Sequence, residues 1–168
     1  SDTDKYKIKL FVTTPDHQVS LIENQLISHG MAYQILSVNN RGRDISPLIQ
    51  ILKEIHQQHF SFIVKVHTKK SKHRSDGTVW RKDLFVKLLK KSILEKNIQY
   101  LVDHPEVGIL APEGHLVPMN HYIAANEKTI SKLSARLGVE MDTVMRLHFV
   151  AGTMFTARID ALLPLLTL

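Results

Sequence analysis

The order of apolar runs in residues 7–67 restricts the fold more than any other feature of this chain. Residues 7–14, KIKLFVTT, form a β-rich run closed by Pro15 and Asp16, the punctuation of a strand ending in a loop. Val19, Leu21, Ile22, Leu26 and Ile27 then recur near helical spacing until Gly30, which predicts a helix of about a dozen residues. Residues 33–38, YQILSV, give a second strand. Ile45, Leu48, Ile49, Leu52 and Ile55 share one helical stripe, with Pro47 tolerable in the first turn, and residues 60–67 return to a strand. Strand, helix, strand, helix, strand is the rhythm of right-handed crossovers building a parallel sheet. The expected class is therefore α/β, with a mostly parallel central sheet flanked by helices. In such a sheet the turn at residues 39–44 and the loop after His67 open at the same edge, where ligands bind.

The remainder extends this plan. Leu84, Phe85, Leu88, Leu89, Ile93, Leu94, Ile98 and Leu101 predict one long amphipathic helix over residues 80–102, with any break near Ser92 and with Lys82, Lys87, Lys90, Lys91 and Lys96 on the wet face. Residues 108–112 read as a short strand, Asn126 as the cap of a helix stopped by Gly138, residues 149–158 as a strand containing a glycine, and residues 159–168 as a final short helix. A chain of 168 residues with 43% apolar content fits a single domain with a real core. It opens at Ser1 and stops at Leu168 without a polar tail, so the expectation is one domain, residues 1–168, excised from a longer polypeptide whose other domains hold part of the function.

Charge narrows the partners. The excess of 22 Lys+Arg over 16 Asp+Glu, a net +6, favours nucleotides, nucleic acid, anionic lipid or acidic glycans. Cysteine is absent, which excludes disulfides and thiolate zinc sites and is compatible with a reducing cytoplasm. No run approaches the roughly 18 to 20 apolar residues of a membrane span, and residues 1–7 lack the apolar core of a signal peptide.

Within that frame the stretch over residues 62–81 stands out. Its apolar strand carries Lys65 and His67, then runs into Thr68, Lys69, Lys70 and Ser71 before Trp80 and Arg81. His is a donor or general base near neutral pH, and Lys, Ser and Thr suit a diphosphate; a solvated basic loop is the plain alternative. Asn40, Arg41, Gly42, Arg43 and Asp44 offer close backbone approach, bidentate cations and a carboxylate for sugar hydroxyls. The same turn is equally explained by Asp44 capping the next helix. Trp80 can stack on a base or sugar, or anchor the core. Glu113, beside His115 after a short apolar strand, is the best isolated candidate for a general base, or a turn residue. Gly152 and Thr153 mark a bulge or close approach, and Arg158 closes that run. Four histidines, His67, His73, His115 and His121, match no recognised metal-ligand spacing.

Three of these stretches together resemble the signature blocks of the rhamnan synthesis protein F family: residues 40–44, residues 65–71 with Trp80 and Arg81, and residues 150–155 with Arg158. The resemblance runs from Lys7 to Leu166 in order. It implies a glycosyltransferase, a rhamnosyltransferase using a donor such as dTDP-rhamnose, in cell-surface polysaccharide or lipopolysaccharide O-antigen synthesis. It also implies a Rossmann-like GT-A nucleotide-sugar fold. That fold typically carries Asp-x-Asp after the strand at residues 62–66, where this chain has His67, Thr68 and Lys69, so a metal-independent transfer is expected, with Mg or Mn the alternative left open. On this reading Asn40, Arg43 and Asp44 hold the donor; Lys65, His67, Lys69 and Lys70 neutralise the leaving diphosphate. Glu113, His67 or Asp44 is the base, and Gly152, Thr153 and Arg158 shape the acceptor pocket. The implied partners are a nucleotide-diphosphate sugar, a glycan or lipid-linked glycan acceptor and other domains of the same polypeptide, in the cytoplasm or at the inner face of the membrane. A noncatalytic glycan or nucleotide-sugar binding module is the alternative. A nucleic-acid-binding domain is a second one, weakened by the few aromatic residues beside the basic run.

Overall fold

The computed structural model describes residues 6–39, 42–68 and 77–167, which fall into two compact units, residues 1–55 and 56–168. In the first, β1 (Leu10–Thr14), a single 3-10 turn (Asp16–Gln18), α1 (Val19–Ile27), β2 (Tyr33–Ser37) and α2 (Ile45–Gln57, its last two residues beyond the boundary) follow in order. β1 and β2 pair in parallel, from Leu10 opposite Tyr33 to Thr14 opposite Ser37, as the alternation of strand and helix predicts. Gly30 ends α1 in the left-handed region at φ +64°, a conformation glycine adopts without a Cβ penalty. α2 buries Leu48, Ile51, Leu52 and Ile55; of the expected stripe, Ile45 and Ile49 are only half-buried, and Ile51 joins the buried side.

The second unit corrects the expected sheet. It runs through β3 (Phe62–Lys65), α3 (Gly77–Leu89), α4 (Lys91–Asp103), β4 (Ile109–Leu110), β5 (Leu116–Pro118), α5 (Met119–Tyr122), α6 (Glu127–Arg136), α7 (Met141–Arg146), β6 (His148–Val150) and β7 (Phe155–Arg158), and ends in a 3-10 helix, Asp160–Thr167. The partner of β3 is β7, antiparallel, with Phe62 opposite Arg158 and Lys65 opposite Phe155; β4 flanks β7 on its other side. A mostly parallel central sheet is therefore not what forms: the described strands make three small sheets, of which β1–β2 is the parallel one. The cause is a late competitor. β7 is the most buried strand of the unit, with Phe155, Thr156 and Ala157 buried, and a strand supplied from the far end of the chain takes the place that sequential order assigns to a neighbour. The premise that the 39–44 turn and the loop after His67 flank one parallel sheet falls with it.

The core of this unit is Leu84, Leu88 and Met154, packed by Val64, Val66, Trp80 and Phe85; each fully buried leucine contributes about 1.5–3 kcal/mol. The long helix expected over residues 80–102 is two helices, separated at Lys90, whose ψ of 125° is extended. The break comes two residues before Ser92. α6 ends as expected, with Gly138 at φ +69° and the Val139 amide donating to the Ser134 carbonyl at 2.8 Å. Among the described residues no helix is long and apolar enough to cross a membrane.

Candidate functional site

The sequence-selected residues of the second unit divide into a cluster and one outlier. Lys65, at the end of β3, is only 6% exposed. Its ammonium donates to the Thr153 carbonyl at 2.6 Å and lies 5.9 Å from the centre of the Phe155 ring. Two residues on, His67 Nε2 lies 2.9 Å from the Gly152 carbonyl; a carbonyl only accepts, so Nε2 carries the hydrogen. Two of the four groups expected to neutralise a diphosphate, Lys65 and His67, thus grip the backbone of the turn between β6 and β7.

That turn is held in an uncommon shape. Gly152 and Thr153 have φ of +81° and +51°, and left-handed backbone costs a non-glycine residue about 1–3 kcal/mol unless its surroundings determine it. The Thr153 hydroxyl donates to the Gly152 carbonyl at 2.8 Å. A Cβ on Gly152 would sit 2.4 Å from Trp80 Cη2, so the glycine is there because the indole lies against its backbone. This is the close approach the sequence suggested, made by Trp80 as a core side chain.

From Trp80 the cluster continues to His115. Their rings are tilted, with centroids 5.7 Å apart. His115 is buried, and its Nε2 donates to Asp83 Oδ2 at 3.1 Å. The same carboxylate oxygen is 2.8 Å from the Lys87 ammonium, and Lys87 also donates to the Glu113 carbonyl at 3.0 Å. The Lys87 hydrogen bond, then that of His115, holds the Asp83 carboxyl below its ordinary value. The carboxylate joined to a histidine is therefore Asp83; Glu113 is exposed and enters through its backbone. Sequence reasoning missed Asp83. Its spacing of four from Lys87 was visible, but the link to His115 is tertiary.

Beyond the end of β3 lies an open cavity of about 480 Å³ lined by Thr68, Thr78, Arg81, Lys82 and Phe85. Arg81 Nη1 donates to the Thr68 carbonyl at 2.5 Å, tying the strand end to α3 with one of its five donors. The surface of the cavity itself is mostly apolar, a wall for a flat group, while the two cations and two hydroxyls among its lining residues are of the types that receive phosphate oxygens. Lys69, Lys70 and Ser71 lie outside the described residues, as do Asn40 and Arg41.

Arg158 is the outlier. It stands at the other end of β7 from Phe155, where Nε donates to the Val107 carbonyl at 3.2 Å and Nη2 to that of Leu101. The guanidinium lies 5.5 Å from the Phe62 ring centre. The structure does not bring it to Gly152 and Thr153. In the first unit, Gly42 and Arg43 have φ of +69° and +54°, and a Cβ on Gly42 would lie 2.3 Å from Ser46 Cβ, so the glycine admits the first turn of α2. Asp44, half-buried, immediately precedes that helix. Among the described residues no three His, Asp or Glu side chains gather as a metal site would require.

Comparison with known proteins places this arrangement in a family. An uncharacterized protein WxcX of Xanthomonas campestris pv. campestris is 32% identical over 159 residues, covering 95% of this chain and 23% of the relative. WxcX of a second strain is 31% identical over the same length. The chain thus spans about a quarter of the length of these relatives. No solved structure matches it. The family model described as rhamnan synthesis protein F matches residues 3–168, and the chain belongs to that family.

Proposed function

We propose that this chain serves rhamnan or related surface polysaccharide synthesis as the donor-binding part of a glycosyltransferase, a rhamnosyltransferase acting from a nucleotide-diphosphate sugar such as dTDP-rhamnose onto a glycan or lipid-linked glycan in the cytoplasm. The observation that carries this reading is the cavity beyond β3, where Thr68, Thr78, Arg81, Lys82 and Phe85 converge. Arg81 and Lys82 would take the charge on the leaving diphosphate, a task otherwise given to a divalent cation. The acceptor hydroxyl needs a base; Glu113 and the His115–Asp83 pair are the candidates in this unit. The parallel β1–α1–β2 unit supports kinship with GT-A nucleotide-sugar architecture.

A second reading, a noncatalytic nucleotide-sugar or glycan binding module, is favoured by Lys65 and His67, whose polar groups hold the 152–153 backbone. Titration calorimetry with dTDP-rhamnose, dTDP and an oligonucleotide tests both. Removing Arg81 or Lys82 as alanine should weaken the nucleotide ligands roughly 10- to 100-fold, the scale of one charge-assisted hydrogen bond. Binding to the oligonucleotide alone, or unchanged affinity in both variants, would overturn the assignment. Binding without turnover in the intact polypeptide would select the module.

A further inference from the structure

The outward face of α3 is apolar where a solvated helix face should be polar. Its inward face is Trp80, Leu84, Phe85 and Leu88. On the opposite side Val79, Val86 and Leu89 are 72%, 52% and 46% exposed, and positions 79, 82, 86 and 89 fall on one stripe at helical spacing. Lys82 shares that stripe and Lys90 directly follows its last residue; both are exposed. A helix apolar on both faces is normally enclosed; among the described residues this one is covered on one side.

Charge identifies what covers the other. From Lys65 to Lys91 the only acidic side chains are Asp76 and Asp83, and Asp83 is already paired with Lys87. A protein partner for such a stripe would need matching carboxylates around an apolar centre. An anionic lipid surface supplies both as a continuum: headgroups for the lysines and the acyl boundary for Val79, Val86 and Leu89.

We propose that the Val79–Val86–Leu89 stripe of α3, flanked by Lys82 and Lys90, seats this domain on an anionic membrane surface, with the helix lying in the interface and not crossing it. The proposal stands whether or not the domain transfers sugar. It also gives a lipid-linked acceptor a short path to the cavity, since Lys82 belongs to both the stripe and the cavity rim.

The test is co-sedimentation of the chain with vesicles of phosphatidylcholine alone and of phosphatidylcholine with phosphatidylglycerol. Retention on the anionic vesicles, falling steeply with salt, is the expected result. The exposed-face variant V86D/L89D should cut that partition by at least tenfold, and K90E by about fivefold, each with unchanged far-ultraviolet circular dichroism. Equal partition of wild type and variants, or none onto anionic vesicles, overturns the proposal. So does a concentration-dependent dimer abolished by V86D/L89D, which would make a second copy the occupant.

Discussion

Replacing Gly152 by alanine isolates the contact on which the 151–153 turn depends. Two costs are separable. At φ +81° an alanine Cβ costs about 1–2 kcal/mol. The added methyl would also meet Trp80 Cη2 at 2.4 Å, Cζ2 at 2.9 Å and Leu84 Cδ1 at 3.3 Å, and overpacking of this kind costs about 1–3 kcal/mol more. Gly138→Ala is the internal control: its φ is +69° and nothing lies within 4 Å of the added Cβ, so it bears the conformational cost alone. Urea unfolding followed by circular dichroism should therefore place Gly152→Ala below Gly138→Ala by about 1–3 kcal/mol, on the order of 1 M in midpoint. Trp80→Phe removes the two indole atoms involved. Combined with Gly152→Ala it should lose less than the sum of the single losses, by on the order of 1 kcal/mol. Equal losses for the two glycine variants, or strict additivity with Trp80→Phe, would refute the close approach of the indole to Gly152.

Other consequences follow from the ion pairs and the outlying arginine. Asp83 has a lowered pKa, so its ionised form stabilises the fold above the unfolded value of 3.8 and this contribution is lost as pH falls through the folded value. Asp83→Asn should consequently be less stable than wild type at neutral pH, with the gap closing as urea midpoints are followed downward from pH 5 to below 3.8. Arg158→Met should destabilise by about 2–4 kcal/mol, since it strips charged donors from the Val107 and Leu101 carbonyls. Its affinity for dTDP-rhamnose, measured at a temperature where the variant is folded, should stay within twofold of wild type; a larger loss would return Arg158 to the site.

What was legible in the sequence was local. The β1–α1–β2 run, the α2 stripe and the Gly138 stop each depend on spacing and turn chemistry within about fifteen residues, and each formed. The partner of β3 was not legible, because Phe62 and Arg158 are joined by a register that no local period encodes. Short elements such as α7 and β5 escaped for a related reason: six and three residues carry too few repeats for a period to show. At the site, a close approach at Gly152 was legible in its glycine, and Trp80 makes it. The division of labour of Lys65 and His67 was not, since a lysine inside an apolar strand reads the same whether its ammonium meets a ligand or a carbonyl.

That division follows from the antiparallel pairing itself. Because Lys65 stands opposite Phe155, its side chain is within reach of the Thr153 carbonyl just before β7, and His67 continues past the pairing to Gly152. In a parallel sheet no returning strand would present those carbonyls at the carboxyl end of β3, and both side chains would face whatever bound there. With them committed to the turn, the charge available to a phosphate in the described part of this unit shifts one element onward, to Arg81 and Lys82 on α3. Arg81 is tied back to the strand end through Thr68, so displacement of α3 would be felt directly at the cavity. The helix that buries Leu84 and Leu88, bears the cavity cations and exposes Val79, Val86 and Leu89 is then the element through which a ligand in the cavity and a surface against the outer stripe would act on one another. Mutual enhancement is the thermodynamic requirement if both favour the same seating of that helix.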